Sequence, residues 1–326
     1  MDPRVKATMA RVRPVSRVSL PAGSARTQQD PPVQRNAASK SGGACAPLRL
    51  SDLVRDLLAL GVRPGDLLMV HSSLRSIGLV DGGPETVVDA LLQALGPDGT
   101  LVVPTFTYPT AGNPEFVFDP IHTPSQMGAI SEAARRRPEA HRSIHLAHSI
   151  AAIGPLAQAI TTSGGASGWD AHSPMGQVFS RNGRYLLLGV PYQNLTAMHL
   201  CEVWLGLPYR KPRTSEGRMR HPDGSTTPLV SIGTPPLPGN PGSDYNRLGQ
   251  RMEDAGLVKL APVGNAIARL LDAHDMGAMG RELTRRDPNG FLQQGPTVTQ
   301  LTHGHTIESE KGEHCVVDPT RIYGAT

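Results

Sequence analysis

Leu67-Leu68-Met69-Val70, then Pro84-Glu85-Thr86-Val87-Val88-Asp89-Ala90-Leu91-Leu92-Gln93-Ala94-Leu95, then Gly96-Pro97-Asp98-Gly99 and Leu101-Val102-Val103: this stretch decides the fold. Pro64-Gly65-Asp66 turns the chain into a short apolar run of the kind that forms a buried strand. Pro84 suits a first helical residue, and Val87, Val88, Leu91, Leu92 and Leu95 draw an apolar stripe along the helix that follows. Gly96 to Gly99 stops it, and a second apolar strand begins. Strand, helix, strand with short turns is a βαβ unit, which demands parallel pairing and a right-handed crossover. The predicted class is therefore α/β.

Outward from this unit the alternation continues. Ser51 reads as the N-cap of a helix with Leu53, Val54, Leu57 and Leu58 at helical spacing and Gly61 at its end. Met127 to Arg136 reads as a helix, Pro155 to Ile160 as a short one, and Gly164 to Gly168 as a glycine-rich loop. Ile144, Leu146, His148, Ile150 and Ala152 alternate as strand positions do. Arg184 to Val190 is a buried strand, Pro222-Asp223-Gly224 a hairpin signal, and Tyr245–Met252 and Val263–Leu271 read as helices.

Charge divides the chain. Residues 1–49 hold nine Lys or Arg and two Asp or Glu, a net of +7, which leaves −3 for the rest of a chain whose total is +4. We read 1–46 as a disordered basic extension, 47–290 as the folded domain and 291–326 as a loose polar tail. A nucleic-acid binder would carry its basic excess on the folded part, interleaved with aromatics. Here that part is slightly acidic and aromatics are 4% of the chain, so no nucleic-acid partner is expected. Nothing approaches the 18 or so consecutive apolar residues of a membrane span. Three scattered cysteines, Cys45, Cys201 and Cys315, suit a reducing compartment, hence the cytoplasm.

Several constellations carry chemistry. In Thr196-Ala197-Met198-His199-Leu200-Cys201-Glu202, a helix turning about 100° per residue projects Thr196, His199 and Glu202 together and sends Cys201 the other way. An imidazole beside a carboxylate, just past a strand, sits where open α/β sheets place ligands. Spacing alone also allows a surface helix. His71-Ser72-Ser73-Leu74-Arg75-Ser76-Ile77-Gly78 gathers hydroxyls, amides and a guanidinium after the first strand, as phosphate recognition requires, although such turns also simply cap helices. Thr123-Pro124-Ser125-Gln126-Met127-Gly128 opens a helix with the composition of an anion site or an ordinary cap. His141, His145 and His148 would align on a helix and invite zinc, but the strand reading puts His145 and His148 on opposite faces. His303, His305, His314 and Cys315 form a second metal candidate in the tail. Cys201 points away from His199 and reads as a structural thiol.

Taken in order, these pieces resemble the aminoglycoside 3-N-acetyltransferase (antibiotic N-acetyltransferase) family. They are Leu68 to Leu74 with Ile77-Gly78 and Gly82-Gly83; Gly99 to Pro104; Thr123-Pro124-Ser125 with Met127-Gly128; Arg142-Ser143, His145 and His148-Ser149; Ser173-Pro174; Leu187 to Val190; and Thr196, His199 and Glu202. The resemblance spans about residues 50–290. It implies an α/β/α sandwich distinct from the GNAT acetyltransferases, acetyl-CoA as co-substrate, and a small-molecule amine on an aminoglycoside or amino sugar as acceptor; no four-ligand set of regular spacing appears, so no metal is expected, and the enzyme is expected to be a monomer or homodimer. On matching positions it implies His199 as base and Glu202 as its companion, with CoA held by His71, Ser72, Ser73, Leu74 and Arg75 and by Thr123, Ser125 and Met127. Amides of the His71–Ser73 turn would take the developing oxyanion. Two departures stand out. The family's His-Pro-Leu-Asp/Glu stretch is replaced by Ser163-Gly164-Gly165-Ala166, and Thr105 to Thr123 holds only Glu115 and Asp119 as acids. A different amine metabolite is therefore the alternative acceptor, and a metal-dependent hydrolase the alternative chemistry.

Overall fold

A computed structural model describes residues 46–108, 113 and 115–293, with two further short paired strands, Thr297–Val298 and Glu308–Ser309. The basic extension up to residue 45, with Cys45, and the tail residues His303, His305, His314 and Cys315 lie outside the described residues.

The deciding stretch folds as its pattern requires. Strand β1 (Leu67–Ser72) pairs parallel with β2 (Thr100–Pro104), and a helix at Gly83–Leu95 crosses between them. A helix at Leu50–Leu60, α1, precedes them and buries Leu53, Leu57 and Leu60. Gly61 ends it in the left-handed region, at φ 105°, with its N–H on the Leu57 carbonyl. Its cap is Arg49 rather than Ser51, because the Asp52 carboxylate reaches back to the Arg49 N–H at 3.1 Å. A single turn at Leu74–Ile77 is α2, the crossover helix is α3, and Ala129–Arg135 is α4, two residues shorter at its start than its apolar spacing suggests.

Seven strands make one sheet in the order β4-β5-β2-β1-β6-β10-β9, where β4 is His141–Arg142, β5 Ile150–Ile153, β6 Arg184–Leu188, β9 Val258–Val263 and β10 Ala266–Asp272. β1 is also parallel to β6, so β2, β1 and β6 run side by side in one direction at the centre of the sheet. Side chains along each strand alternate between two cores. Leu68, Val70, Leu101, Val103, Leu186 and Leu188 face α1, α3 and α4. Met69, Val102, Tyr185 and Leu187 face the other layer. That layer is α5 (Ala157–Thr161), α6 (Pro174–Ser180), α7 (Met198–Trp204), α8 (Tyr245–Asp254) and α9 (Ala273–Arg286). Phe291 and Leu292, just past residue 290, are buried in this second core. The architecture is an α/β/α sandwich. A small second sheet joins β3 (Val117–Phe118) to the hairpin β7 (Arg213–Arg220) and β8 (Thr226–Gly233), turned at Pro222-Asp223-Gly224. No described helix is long and apolar enough to cross a membrane.

Two further sequence expectations are corrected. Val263 to Leu271 is not a helix but the end of β9, a turn and most of β10, a strand buried on both faces between β6 and β9. An apolar run of that length has no period that separates a buried strand from a helix. Residues 143–149 are a loop, not a strand, between the two strands of an antiparallel pair, β4 and β5.

α8 lies against the turn after β6 through a point of contact without slack. A Cβ at Gly249 would stand inside the Tyr192 ring. That ring is fully buried, its hydroxyl donates to Glu253 at 3.1 Å, and the Arg269 guanidinium lies over its face. Gly249→Ala is expected to destabilise the fold by ~1–3 kcal/mol through overpacking, outweighing roughly 1 kcal/mol of helix propensity. Thermal unfolding reads this as a lowered Tm, whereas Gly165→Ala, where a Cβ meets nothing within 4 Å, leaves Tm in place.

Candidate active site

Three parallel strands, β2, β1 and β6, deliver their C-terminal ends to one edge of the sheet, the position at which α/β folds collect ligands. Past β6, Gly189 takes φ 73°, in close contact with Ser76 and Ala266, and a 3-10 turn at Tyr192–Asn194 leads into α7. α7 buries Met198, Leu200, Cys201 and Trp204 in the core. His199 and Glu202, three apart, share a face; the His199 side chain keeps 23% of its surface exposed and Glu202 none. His199 Nδ1 lies 2.8 Å from Glu202 Oε2. A carboxylate accepts only, so Nδ1 carries the proton and Nε2 is left with its lone pair. Thr196 stands just before the helix cap, and its buried hydroxyl has no hydrogen-bond partner among the described residues.

Glu202 is surrounded by donors that spacing did not reveal. Tyr245 donates to Oε2 at 2.6 Å and its oxygen lies 2.5 Å from His199 Nδ1. Ser243 donates to Oε1 at 2.5 Å and Tyr209 at 3.2 Å, while Arg210 Nε sits 2.6 Å from Oε2. Tyr245 opens α8, and Gln193 fixes that opening to the turn after β6 by accepting from the Tyr245 N–H and donating to the Ser243 carbonyl. Burial pushes the Glu202 carboxyl upward, but the His199 hydrogen bond, the charges of His199 and Arg210 and the Ser243 hydroxyl hold it below its ordinary value. For His199 burial works downward, Glu202 pulls up, Arg210 pushes down, and the ring ends below the usual 6.5.

Above this dyad opens a cavity of about 1050 Å³, lined by His199, Tyr245 and Trp169, by the 145–148 loop and by the β7–β8 hairpin. Trp169 stands edge-on to His199, with ring centroids 5.0 Å apart, and 4.8 Å from His148. Trp204 Nε1 donates to the Trp169 carbonyl at 2.7 Å, so the other side of α7 holds Trp169 in place. Because 143–149 is a loop, His145 and His148 are not on opposite faces but have ring centroids 5.2 Å apart. Burial pushes His145 down to about 4 and His148 to about 3, so both are uncharged at neutral pH. His145 Nδ1 accepts from the Ala147 and His148 amides, while His141 is exposed on β4. Among the described residues no three His, Cys, Asp or Glu converge as a metal set, so the zinc reading of His141, His145 and His148 has no geometric support. Cys201 is fully buried, with its thiol pushed up to about 12 by burial, and packs near Gly280 of α9.

The expected CoA residues occupy the same edge of the sheet but do not line this cavity. His71 and Ser72 end β1; Ser73 caps α2 by accepting from the Ser76 N–H; Leu74 is half-buried and Arg75 exposed. His71 is buried, its Nε2 has no hydrogen-bond partner among the described residues, and burial pushes its pKa to about 4. The Ser73 N–H already donates to the Leu188 carbonyl at 3.0 Å, so that amide is not free for an oxyanion. Thr123, Ser125 and Met127 precede α4 rather than opening it. Thr123 accepts from the Asp119 N–H and Ser125 from the Met127 N–H. Gln126 anchors this segment to the chain leaving β2, its N–H donating to the Phe106 carbonyl at 3.0 Å.

The sequence and fold both have known counterparts. A family model described as aminoglycoside 3-N-acetyltransferase matches residues 69–285. The chain is 35% identical over 248 residues to aminoglycoside N(3)-acetyltransferase IV from Salmonella sp, covering 75% of this chain and 90% of that one. Its fold is similar to aminoglycoside acetyltransferase AAC(3)-IVa, solved as a histidine-to-alanine variant in complex with a gentamicin, at TM-score 0.64 and 32% identity, over 77% of this chain and 93% of that one. It also shares the fold of AAC-IIIb, solved with CoASH, at TM-score 0.68 and 24% identity, over 77% of this chain and all of that one. A sandwich with a histidine–glutamate pair at the ends of its parallel strands, and a match running through nearly all of that sandwich, together show that this chain belongs to the aminoglycoside 3-N-acetyltransferase family.

Proposed function

We propose that the chain acetylates an amino group of an aminoglycoside, at the 3-N position, or of a related amino sugar, and so confers antibiotic resistance, with acetyl-CoA as donor. The observation that carries this reading is the His199 ring: proton fixed on Nδ1 by a buried carboxylate, Nε2 left free beside a cavity large enough for a drug-sized ligand. The donor supplies an acetyl group as a thioester, whose C–S bond breaks as the N–C bond to the acceptor forms. An amine near neutral pH is mostly ammonium and lacks the lone pair that attack requires. One proton leaves the ammonium for solvent to free that lone pair; as the N–C bond forms the nitrogen sheds a second, which His199 Nε2 takes, and Glu202 stabilises the imidazolium that results. The proton then returns to the departing thiolate, so no acyl-enzyme is needed. Trp169 and Tyr245, packed edge-on to the imidazole, keep its plane fixed during both transfers.

For CoA the reading assigns Ser72, Ser73, Leu74 and Arg75, with His71 beneath them, and Thr123, Ser125 and Met127. Support comes from their place beyond the ends of two adjacent parallel strands, beside the strand that leads to His199. Arg75 is exposed there and free to meet a phosphate. The reading makes the protein a cytoplasmic, metal-free enzyme, monomer or homodimer, acting on a small-molecule amine and not on nucleic acid.

One observation favours the alternative acceptor. Among the described residues lining the cavity, Glu216 is the sole carboxylate, against Arg210 and Arg213. A polycation exchanging water for protein contacts gains most from several carboxylates. A sparsely charged amino sugar fits this lining better than a heavily aminated drug.

His199→Ala is expected to lower kcat by ~10²–10⁴-fold with CoA affinity unchanged by calorimetry; undiminished turnover removes His199 as the base. Across a panel of aminoglycosides and simple amino sugars, thiol release from acetyl-CoA is expected only when an amine is present. Release without any amine would mark a hydrolase instead, and the ranking of acceptors by number of amines decides between the two acceptor classes.

A further inference from the structure

We propose that Arg210 is a positioning residue for acetyl transfer, holding Glu202 against the His199 ring and cancelling the carboxylate's charge. The proposal rests on reading His199 as the base. A lone carboxylate 2.8 Å from an imidazole does two opposed things. It orients the ring, which catalysis needs, and it draws a proton onto the ring, which disables a base. The fold must keep the first effect and suppress the second.

Arg210 is built for that task. It follows α7 in the chain, its side chain is 8% exposed, and its Nε stands 2.6 Å from Glu202 Oε2, the oxygen that His199 also uses. The oxygen lies off the N–H axis, making this a contact between charges rather than a directed hydrogen bond. The other guanidinium nitrogens are anchored: Nη1 donates to the Thr234 carbonyl at 2.8 Å and Nη2 to Ser243 Oγ at 3.0 Å. Ser243 in turn donates to Oε1, so guanidinium, hydroxyl and carboxylate close a ring. The same three contacts bind the segment after β8 to the start of α8, one wall of the cavity.

The other groups facing the imidazole leave the cancelling to Arg210. Tyr245, from α8, is a neutral phenol, as is Tyr209 beside Glu202. His148, beyond Trp169, is uncharged near neutral pH. Arg213 and Glu216, on β7, line the same cavity with opposite charge. Arg281 of α9 bears on Cys201, on the opposite side of α7.

NMR titration of the His199 ring in the substrate-free protein tests the proposal. The wild-type midpoint is expected below 6.5; a midpoint above it overturns the proposal without any variant. Arg210→Gln is expected to raise the midpoint by about one unit. The acid limb of kcat/KM should move with it, so that activity at pH 6 relative to pH 8 falls about three- to sixfold further than in wild type. Arg210→Lys keeps the charge while losing the anchored fork, and is expected to restore the wild-type midpoint. A Gln variant that titrates like wild type, or a Lys variant shifted as far as Gln, rejects the proposal, as does a loss of activity equal at every pH. Since the titration needs no acceptor, failure to acetylate aminoglycosides would count against the transferase reading alone.

Discussion

A carboxylate sealed from water must be satisfied completely, and Glu202 imposes that requirement on everything around it. Removing one partner from such a group costs far more than forming the contact returns, since the charge is then stranded in low dielectric. The chain meets the demand with groups from three separate segments: His199 from the same helix, Tyr209 and Arg210 from the turn beyond it, Ser243 and Tyr245 from the start of α8. None of these segments can shift alone without unpairing the others. The orientation of the imidazole is thus a property of the tertiary fold rather than of the helix that carries it.

The sheet explains why those segments meet. Parallel strands require long return connections, and here the connections place helices on both faces while leaving the strand ends open along one edge. β6 lies next to β1, so the segment that leads to the dyad emerges beside the hydroxyl-rich end of β1. The antiparallel pair β9 and β10 then extends the sheet, with α8 immediately before it in the chain. Tyr192 and Gly249 set the depth at which α8 docks, and hence where the Tyr245 hydroxyl arrives.

Sequence reasoning reached the parts of this design that are local. Pro84, Gly61 and the apolar stripe of α3 announce elements whose period and punctuation are unambiguous. The pairing of His199 with Glu202 was legible because i and i+3 share a helix face whatever the tertiary context. Where burial is two-sided, as in β10, apolar residues lose their alternation and the strand reads as a helix. The loop at 143–149 misled for the opposite reason: chance alternation of Ile144, Leu146 and His148 imitates a strand that its hydrogen bonds do not form. Tyr245 and Ser243 stand more than forty residues from Glu202, and Arg210 reaches it only because α7 ends six residues before it and the chain turns back. Contacts of that kind leave no spacing signature in a single chain.

The chain contains two tryptophans, and both belong to this site: Trp169 beside the imidazole, and Trp204 bonded to the Trp169 carbonyl from the far side of α7. Their indoles sit in one small region rather than being dispersed through the molecule. Intrinsic fluorescence of this protein is therefore a local optical signal, in which a change of emission reports the surroundings of the His199 ring and not the average state of the whole chain.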